Sequence, residues 1–510
     1  MVVAGSGSGP VTALAAPPWS PAPSALPSPS AAPASLTPSA VEQPALWQSE
    51  ADFSALLREL EGLRAHGLNP ADYGYDALAT LHGRPADRER LATRAWLSAA
   101  ADLTQGRMNP ADRNADLRVE ADPDHLRQVL QADLREHSIP GSLDRLAPQH
   151  AEYRALMAEL ARLESEPNES LLAVPDGTAL TRGDAGYRVE ILRSRLVQLG
   201  YLPPGLPGNR FDAQVSDAVE QFQWDAGLQS DGIVGPATRA ILNLSRTAKI
   251  ERLRVNLERW RWLPADLGRR HVRVNIAGFE VSAYADGLRV QTHRAIVGRL
   301  ERQTPVFSDK IEYIVFNPWW ETPAKLARED ELPMFRRDPD AVQRLGFQVV
   351  DRATGQPVNP YLIDWNQVPA YPFPYRLRQS PGPLNALGQV KILFPNRHSV
   401  YLHDTPSRQL FARARRTFSS GCIRVQDVFD LVGWLLNDPQ TWGPEQMRSV
   451  VDARKEKWVT LPQPVPVHIL YMTAVAAANG EVRYLPDVYH RDGRVVQALD
   501  SVQPVAQADL

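Results

Sequence analysis

The segment VYLHDTPSRQLFARARRTFSSGCIRVQDVFDLVGWLL, Val400 to Leu436, holds the chain's one cysteine and decides how the rest is read. An apolar run ends at His403, and Cys422 follows nineteen residues later, just ahead of an amphipathic helix carrying Phe429, Val432 and Leu436. A single thiol excludes an internal disulfide and a multi-cysteine zinc site, so Cys422 is either a buried small hydrophobe or a reactive group. Paired with an imidazole it becomes a nucleophile with its base: the thiolate attacks, and the imidazole holds or returns the proton. A free thiol has a pKa near 8.5 and is only a few per cent ionised at neutral pH, so an imidazole or a positive field must activate it. Gly421 leaves room for an approaching carbonyl, and the N–H groups of Gly421 and Cys422 are expected to face a developing oxyanion.

Working outward, the pattern around this segment has period two. Val272, Val274 and Ile276 alternate with polar residues, and Ala285-Asp286-Gly287 predicts a hairpin turn before Leu288 and Val290. Strand-like runs recur at Ile311 to Phe316, Val390 to Leu393, Pro466 to Met472 and Val482 to Tyr484. Between them Ala324 to Leu345 turns helical and Gly355 to Pro383 is rich in Pro, Tyr and Asn, which predicts an irregular insertion acting as a lid. The fold class is therefore multidomain α+β, with a mostly β catalytic domain over 250–500 and a capping insertion over 324–383.

Further out the periodicity is helical. Phe53, Leu56, Leu60 and Leu63, then Leu126, Val129, Leu130 and Leu134, then Tyr153, Leu156 and Leu160, mark single buried stripes and predict a helical scaffold over 46–180. Residues 183–246 read as a miniature three-helix domain, with Gly235-Pro236 starting its last helix. A linker helix is expected around Ile250 to Trp262. The first 45 residues carry ten of the 44 prolines and no Lys or Arg, and read as an extended tether. Val11 to Ala16 is too short for a signal-peptide core and lacks a basic flank, so no export signal is visible. Lys and Arg number 56 against 59 Asp and Glu, a net charge of −3 that removes the basic excess nucleic-acid binding relies on. No apolar run reaches the roughly 18 residues of a membrane span.

The spelling of two segments adds a resemblance. "AVEQFQWDAGLQSDGIVGPATRAIL", Ala218 to Leu242, resembles the peptidoglycan-binding-like module of cell-wall enzymes, which either binds wall or docks on its neighbours. "HDTPSRQLF" followed by "SSGCIRV" resembles the L,D-transpeptidase signature, in which a histidine precedes an S-x-G-C-[IV]-R block; "FNPWWETP", "PGPLNALGQVKILFPN" and "PVPVHILYMTA" resemble its larger members.

That resemblance implies that Cys422 is the nucleophile and His403 the base, with Gly421 and Ser420 completing the catalytic loop. It implies acyl transfer between peptidoglycan stem peptides through a thioester, with release of D-Ala and a 3-3 cross-link between diaminopimelate residues. It further implies reaction with carbapenems, a location in the periplasm of a Gram-negative bacterium, and no metal or cofactor. Trimming by water (an L,D-carboxypeptidase) and attachment of a lipoprotein lysine remain open alternatives. Arg424, two positions after Cys422, is read as supporting the thiolate, binding a substrate carboxylate or forming a structural ion pair. Tyr401 shares the strand face of His403, and Ser419 is placed with the substrate-binding residues. Many family members have His where Ser420 stands. Asp404 points away, so a backbone carbonyl is expected to orient His403. Trp319, Trp320 and Tyr471 read as core or cleft aromatics.

Overall fold

In the computed structural model, which describes residues 47–81, 85–117, 119–166, 172–205, 208–477 and 479–501, Asp286 and Gly287 take φ of 51° and 78°. Two positive φ values make the type I′ turn whose twist matches its flanking strands, and the hairpin they close starts the catalytic sheet. Its strands are β1 (Arg270–Asn275), β2 (Glu280–Ala285), β3 (Leu288–Gly298) and β4 (Phe307–Phe316). An inserted unit contributes β5 (Trp320–Glu321), β6 (Phe347–Asp351), β7 (Pro357–Val358) and β8 (Tyr375–Gln379). The sheet resumes with β9 (Val390–Leu393), β10 (Leu402–His403), β11 (Thr417–Ser419), β12 (Ile423–Val425) and β13 (Lys457–Leu470). The main sheet runs β11-β3-β12-β10-β9-β4-β13-β1-β2, and β2 pairs back onto β3. That second pairing closes the sheet from β3 round to β2 on itself and leaves the short β11 as an edge on β3. The expected helix after Cys422 is Val428–Leu436, and its buried stripe is Val428, Leu431, Val432, Leu435 and Leu436, with Phe429 only partly covered.

The scaffold helices include Glu50–Gly62, Pro85–Gln105, Pro123–Arg135 and Ala151–Ser165. Ser49 and Asp122 cap two of them through side-chain oxygens that accept from N–H groups of the first turn. Their apolar stripes do not form a separate core. Leu56, Trp96 and Leu156 belong to one continuous cluster with Val274, Ile314 and Val467 of the catalytic sheet. The joint is the helix Arg246–Arg261, which is no exposed linker: Asn256, Glu258 and Arg261 are all buried. Each has partners. Glu258 accepts from the Met108 N–H and the Trp262 indole, both at 2.9 Å, and pairs with Arg261 at 3.0 Å; Asn256 exchanges two hydrogen bonds with Thr473.

Two boundaries differ from the sequence reading. Val174 and Leu180 pack into the core of the small domain, and Leu180 bridges Val234, so that domain begins before residue 183 and the scaffold ends before 180. The small domain also docks: Gln229 accepts from the Ala414 N–H at 3.1 Å, in the loop between β10 and β11. The capping insertion starts at Trp320, ahead of Ala324, and is not an irregular loop. It holds a four-stranded sheet, β5-β8-β6-β7, and its own core of Phe335, Phe347, Trp365 and Leu377. Residues 1–45, read as a tether, lie outside the described residues. Among the described residues no helix is long and apolar enough to cross a membrane.

Candidate active site

The parallel pairing of β10 with β12 sets His403 opposite Arg424 and Leu402 opposite Ile423. Partners in register lie on the same face, and residues two apart along a strand share it. His403, Arg424, Tyr401 and Cys422 therefore face one side, while Leu402 and Ile423 point into the core at 0% exposure. The Ile423 N–H donates to the Tyr401 carbonyl at 3.1 Å and ties the two segments together just before the thiol.

His403 forms the floor, 4% exposed. Its Nδ1 lies 2.5 Å from the backbone carbonyl of Asp404. A carbonyl only accepts, so Nδ1 carries the proton and Nε2 keeps its lone pair. The Asp404 carboxylate is turned elsewhere: it accepts from the Gln389 N–H at 3.0 Å and faces Arg408 at 3.6 Å. It packs over Gly388, where φ is +62° and a Cβ would sit 2.4 Å from the carboxylate, so only glycine fits. Burial above all, then Arg424 and Lys391, drive the His403 pKa down to about 3 against the support of the Asp404 and Leu387 backbone. The imidazole is neutral at physiological pH.

Cys422 is partly exposed, and its Sγ lies 3.7 Å from the Ser399 carbonyl. Burial pushes the thiol pKa up, while Tyr401, Lys391 and Arg424 pull against that rise. Burial, and next the neighbouring Cys422, push the Tyr401 pKa well above its ordinary value, with Trp320, the residue that opens the cap, opposing the rise. The groups that lower the thiol pKa are thus Tyr401 first and then the cations Lys391 and Arg424, with no imidazolium among them. Arg424 forms no carboxylate pair among the described residues, and its Nε is buried without a partner, which removes the structural ion-pair reading.

The remaining expectations divide. Gly421 has φ +121° and open space around it, as an approaching carbonyl needs, but its N–H already donates to Ser419 Oγ at 3.1 Å. The Cys422 N–H makes no hydrogen bond among the described residues and is the donor left for an oxyanion. Ser419 is buried and also donates to the Cys422 carbonyl at 2.5 Å, so it staples the loop instead of meeting substrate. Ser420 is exposed and accepts from Arg302 Nη1 at 3.3 Å. Tyr471 is a core residue bonded to Asp487 at 2.6 Å, whereas Trp319 is 39% exposed. Sequence reading missed Lys391, which stands opposite His403 on β9; a strand lysine ordinarily reads as a solvent position. The largest cleft described, about 890 Å³, lies instead between the helix Ala151–Ser165 and the small domain, lined by Tyr201, Asp225 and Lys249. Among the described residues no cluster of His, Cys, Asp and Glu could hold a metal.

Comparison with known proteins now bears on this geometry. Residues 269–466 match the family model described as "L,D-transpeptidase catalytic domain". That stretch is similar to L,D-transpeptidase catalytic domains. Residues 40–160 match a "Scaffold domain" and 185–242 a "Putative peptidoglycan binding domain". The transpeptidase assignment agrees with a relative from Haemophilus influenzae named "Putative L,D-transpeptidase", 36% identical over 245 residues, or 48% of this chain and 49% of that protein. The chain thus spans about half the length of that relative. An N-acetylmuramoyl-L-alanine amidase of Bacillus licheniformis is 38% identical over 68 residues, 13% of this chain and 19% of the amidase. Among solved structures, an L,D-transpeptidase from Stackebrandtia nassauensis aligns with TM-score 0.22 and 12% identity, covering 58% of this chain and 96% of that one.

Proposed function

We propose that this protein is a cysteine acyltransferase that joins peptidoglycan stem peptides by 3-3 cross-links between diaminopimelate residues. The observation that carries the reading is a partly exposed thiol, Cys422, on the same sheet face as a buried neutral imidazole whose Nδ1 is committed to a carbonyl. The thiol proton passes to His403 Nε2 as sulfur attacks the carbonyl carbon of the third stem residue. The oxyanion takes the Cys422 N–H. Collapse expels D-Ala, whose amine receives the proton from the imidazolium, and leaves a thioester. The side-chain amine of a neighbouring stem then attacks, gives its proton to His403 and releases the thiol, which recovers that proton. The peptidoglycan-binding match supports the same substrate class. Such a polymer lies outside the cytoplasm, and we infer a periplasmic site of action.

The test is mass spectrometry of muropeptides after incubation with disaccharide-tetrapeptides, together with intact-protein mass after carbapenem treatment. The parent should yield dimers lacking one D-Ala and a single adduct; Cys422→Ala and Cys422→Ser should yield neither while keeping the parent's circular dichroism. Tripeptide alone would assign hydrolysis, and an adduct on either variant would remove Cys422 as the nucleophile.

A further inference from the structure

Three adjacent strands, β9, β10 and β12, place Lys391, His403 and Arg424 in one row: Lys391 stands opposite His403 in the antiparallel β9–β10 pair, and Arg424 opposite it in the parallel β10–β12 pair. Two cations therefore flank one neutral ring, and neither forms a carboxylate ion pair among the described residues. The Lys391 ammonium sits 4.0 Å from the centre of the Tyr401 ring, a cation–π contact at its most favourable when partly desolvated. The same tyrosine shares the sheet face of Cys422, and the Ile423 N–H bonded to its carbonyl ties it to the residue after the thiol. Two half-buried cations that form no carboxylate ion pair among the described residues, beside a thiol, match the charge that appears only when the thiol ionises.

We propose that Lys391 is a positioning residue of the acyl transfer, which seats Tyr401 so that its hydroxyl meets the Cys422 sulfur and which supplies positive charge to the thiolate as it forms. The inference rests on the reading of Cys422 as the nucleophile. It assigns Lys391 to the transition from thiol to thiolate and leaves the binding of stem peptides to other groups. The charged and titratable groups facing the sulfur are few. Lys391 comes from β9, His403 from β10 with Tyr401 just before that strand, and Arg424 from β12; Glu456, just before β13, acts on Lys391 through space while its carboxylate accepts from the Trp319 N–H. The Asp404 carboxylate faces Gln389 and Arg408 instead.

Because Cys422 is the sole cysteine, the rate of iodoacetamide alkylation against pH titrates this thiol directly. Lys391→Met should raise the apparent thiol pKa by about one unit, the lower end of what a nearby opposite charge contributes, and Lys391→Arg should restore most of it. Tyr401→Phe keeps the ring under the ammonium and removes the hydroxyl; it should move the pKa in the same direction, and it stands in if Lys391→Met fails to fold. Superimposable alkylation profiles for the parent, Lys391→Met and Tyr401→Phe, at unchanged thermal midpoint, would overturn the proposal. The readout does not need turnover, so a parent that alkylates normally but makes no cross-link refutes the acyltransfer reading and leaves the Lys391 measurement intact.

Discussion

Replacing Asp330 by Asn should loosen the cap without unfolding it. Asp330 lies on the short helical segment that follows β5, and its carboxylate accepts from Arg302 at 2.5 and 2.9 Å and from Arg299 at 3.2 and 3.1 Å. Arg302 also donates to Glu329 at 2.7 Å and to Ser420 at 3.3 Å, so one guanidinium spans the base of the cap and the loop that carries Cys422. Exposed pairs contribute about 0.2 to 1 kcal/mol each. Arg302 is 13% exposed, but Asp330 and Arg299 are 33% and 38% exposed, so solvent screening reduces the two pairs together to about 1 kcal/mol. That is roughly fivefold in an opening equilibrium. Hydrogen exchange by mass spectrometry should show about fivefold faster exchange in Ala327–Glu331, with β6 unchanged because the cap's own core of Phe335 and Trp365 is untouched. The share of hydrolysis in the products should rise as water reaches the thioester. Burial raises the Asp330 pKa, but Arg302 and Arg299 outweigh it and hold the carboxyl below its ordinary value. The sign follows: the latch is complete above the unfolded carboxylate pKa near 4 and is lost as pH falls through the lower folded value. Equal exchange in parent and variant at pH 7 would refute the latch, as would a parent whose cap loosens between pH 5 and 8.

Two further outcomes follow from the buried histidines. His403→Ala should cost about 10²- to 10⁴-fold in turnover through loss of the base, yet leave the Cys422 alkylation profile close to the parent's, because a ring with pKa about 3 is neutral and no ion pair is lost; a thiol pKa raised by a unit or more would restore the thiolate–imidazolium picture. His66, buried against the Tyr153 hydroxyl at 2.9 Å, is held at about 3 by burial and Arg261. Its folded pKa lies below the unfolded value near 6.5, so the unfolded chain gains a proton first and stability falls as pH drops from 6.5 toward 3, by up to about 1.4 kcal/mol per pH unit. His66→Gln should flatten the decline of the thermal midpoint between pH 6.5 and 5; an unchanged slope would show that His66 does not set it.

What the sequence shows and hides here follows from the range of the interactions. The Asp286-Gly287 turn is local, and so is the stripe of Val428–Leu436, which the reading places within one residue. The helix Arg246–Arg261 defeats periodicity because its polar residues are buried against partners as distant as Thr473 and Met108. The cap hides its sheet in two strands of two residues and two of five, too short for alternation to register. At the site, Cys422 and His403 are legible from their spelling, but Lys391 is visible only once β10 is known to lie between β9 and β12 instead of beside β11. The same order explains why Gly388 and the Asp404 carboxylate belong to the site without touching its chemistry. Slipping β10 by one residue would turn His403 and Tyr401 into the core and bring Leu402 to the thiol face. The carbonyl of Val390, bonded to the Asp404 N–H at 3.0 Å, and the carboxylate clasping the Gln389 N–H over a glycine oppose that slip from the β9 side, as the Ile423 N–H bonded to the Tyr401 carbonyl does from the β12 side. Register, held at both flanks of a two-residue strand, is therefore what brings His403, Tyr401 and the two cations to the face that carries Cys422.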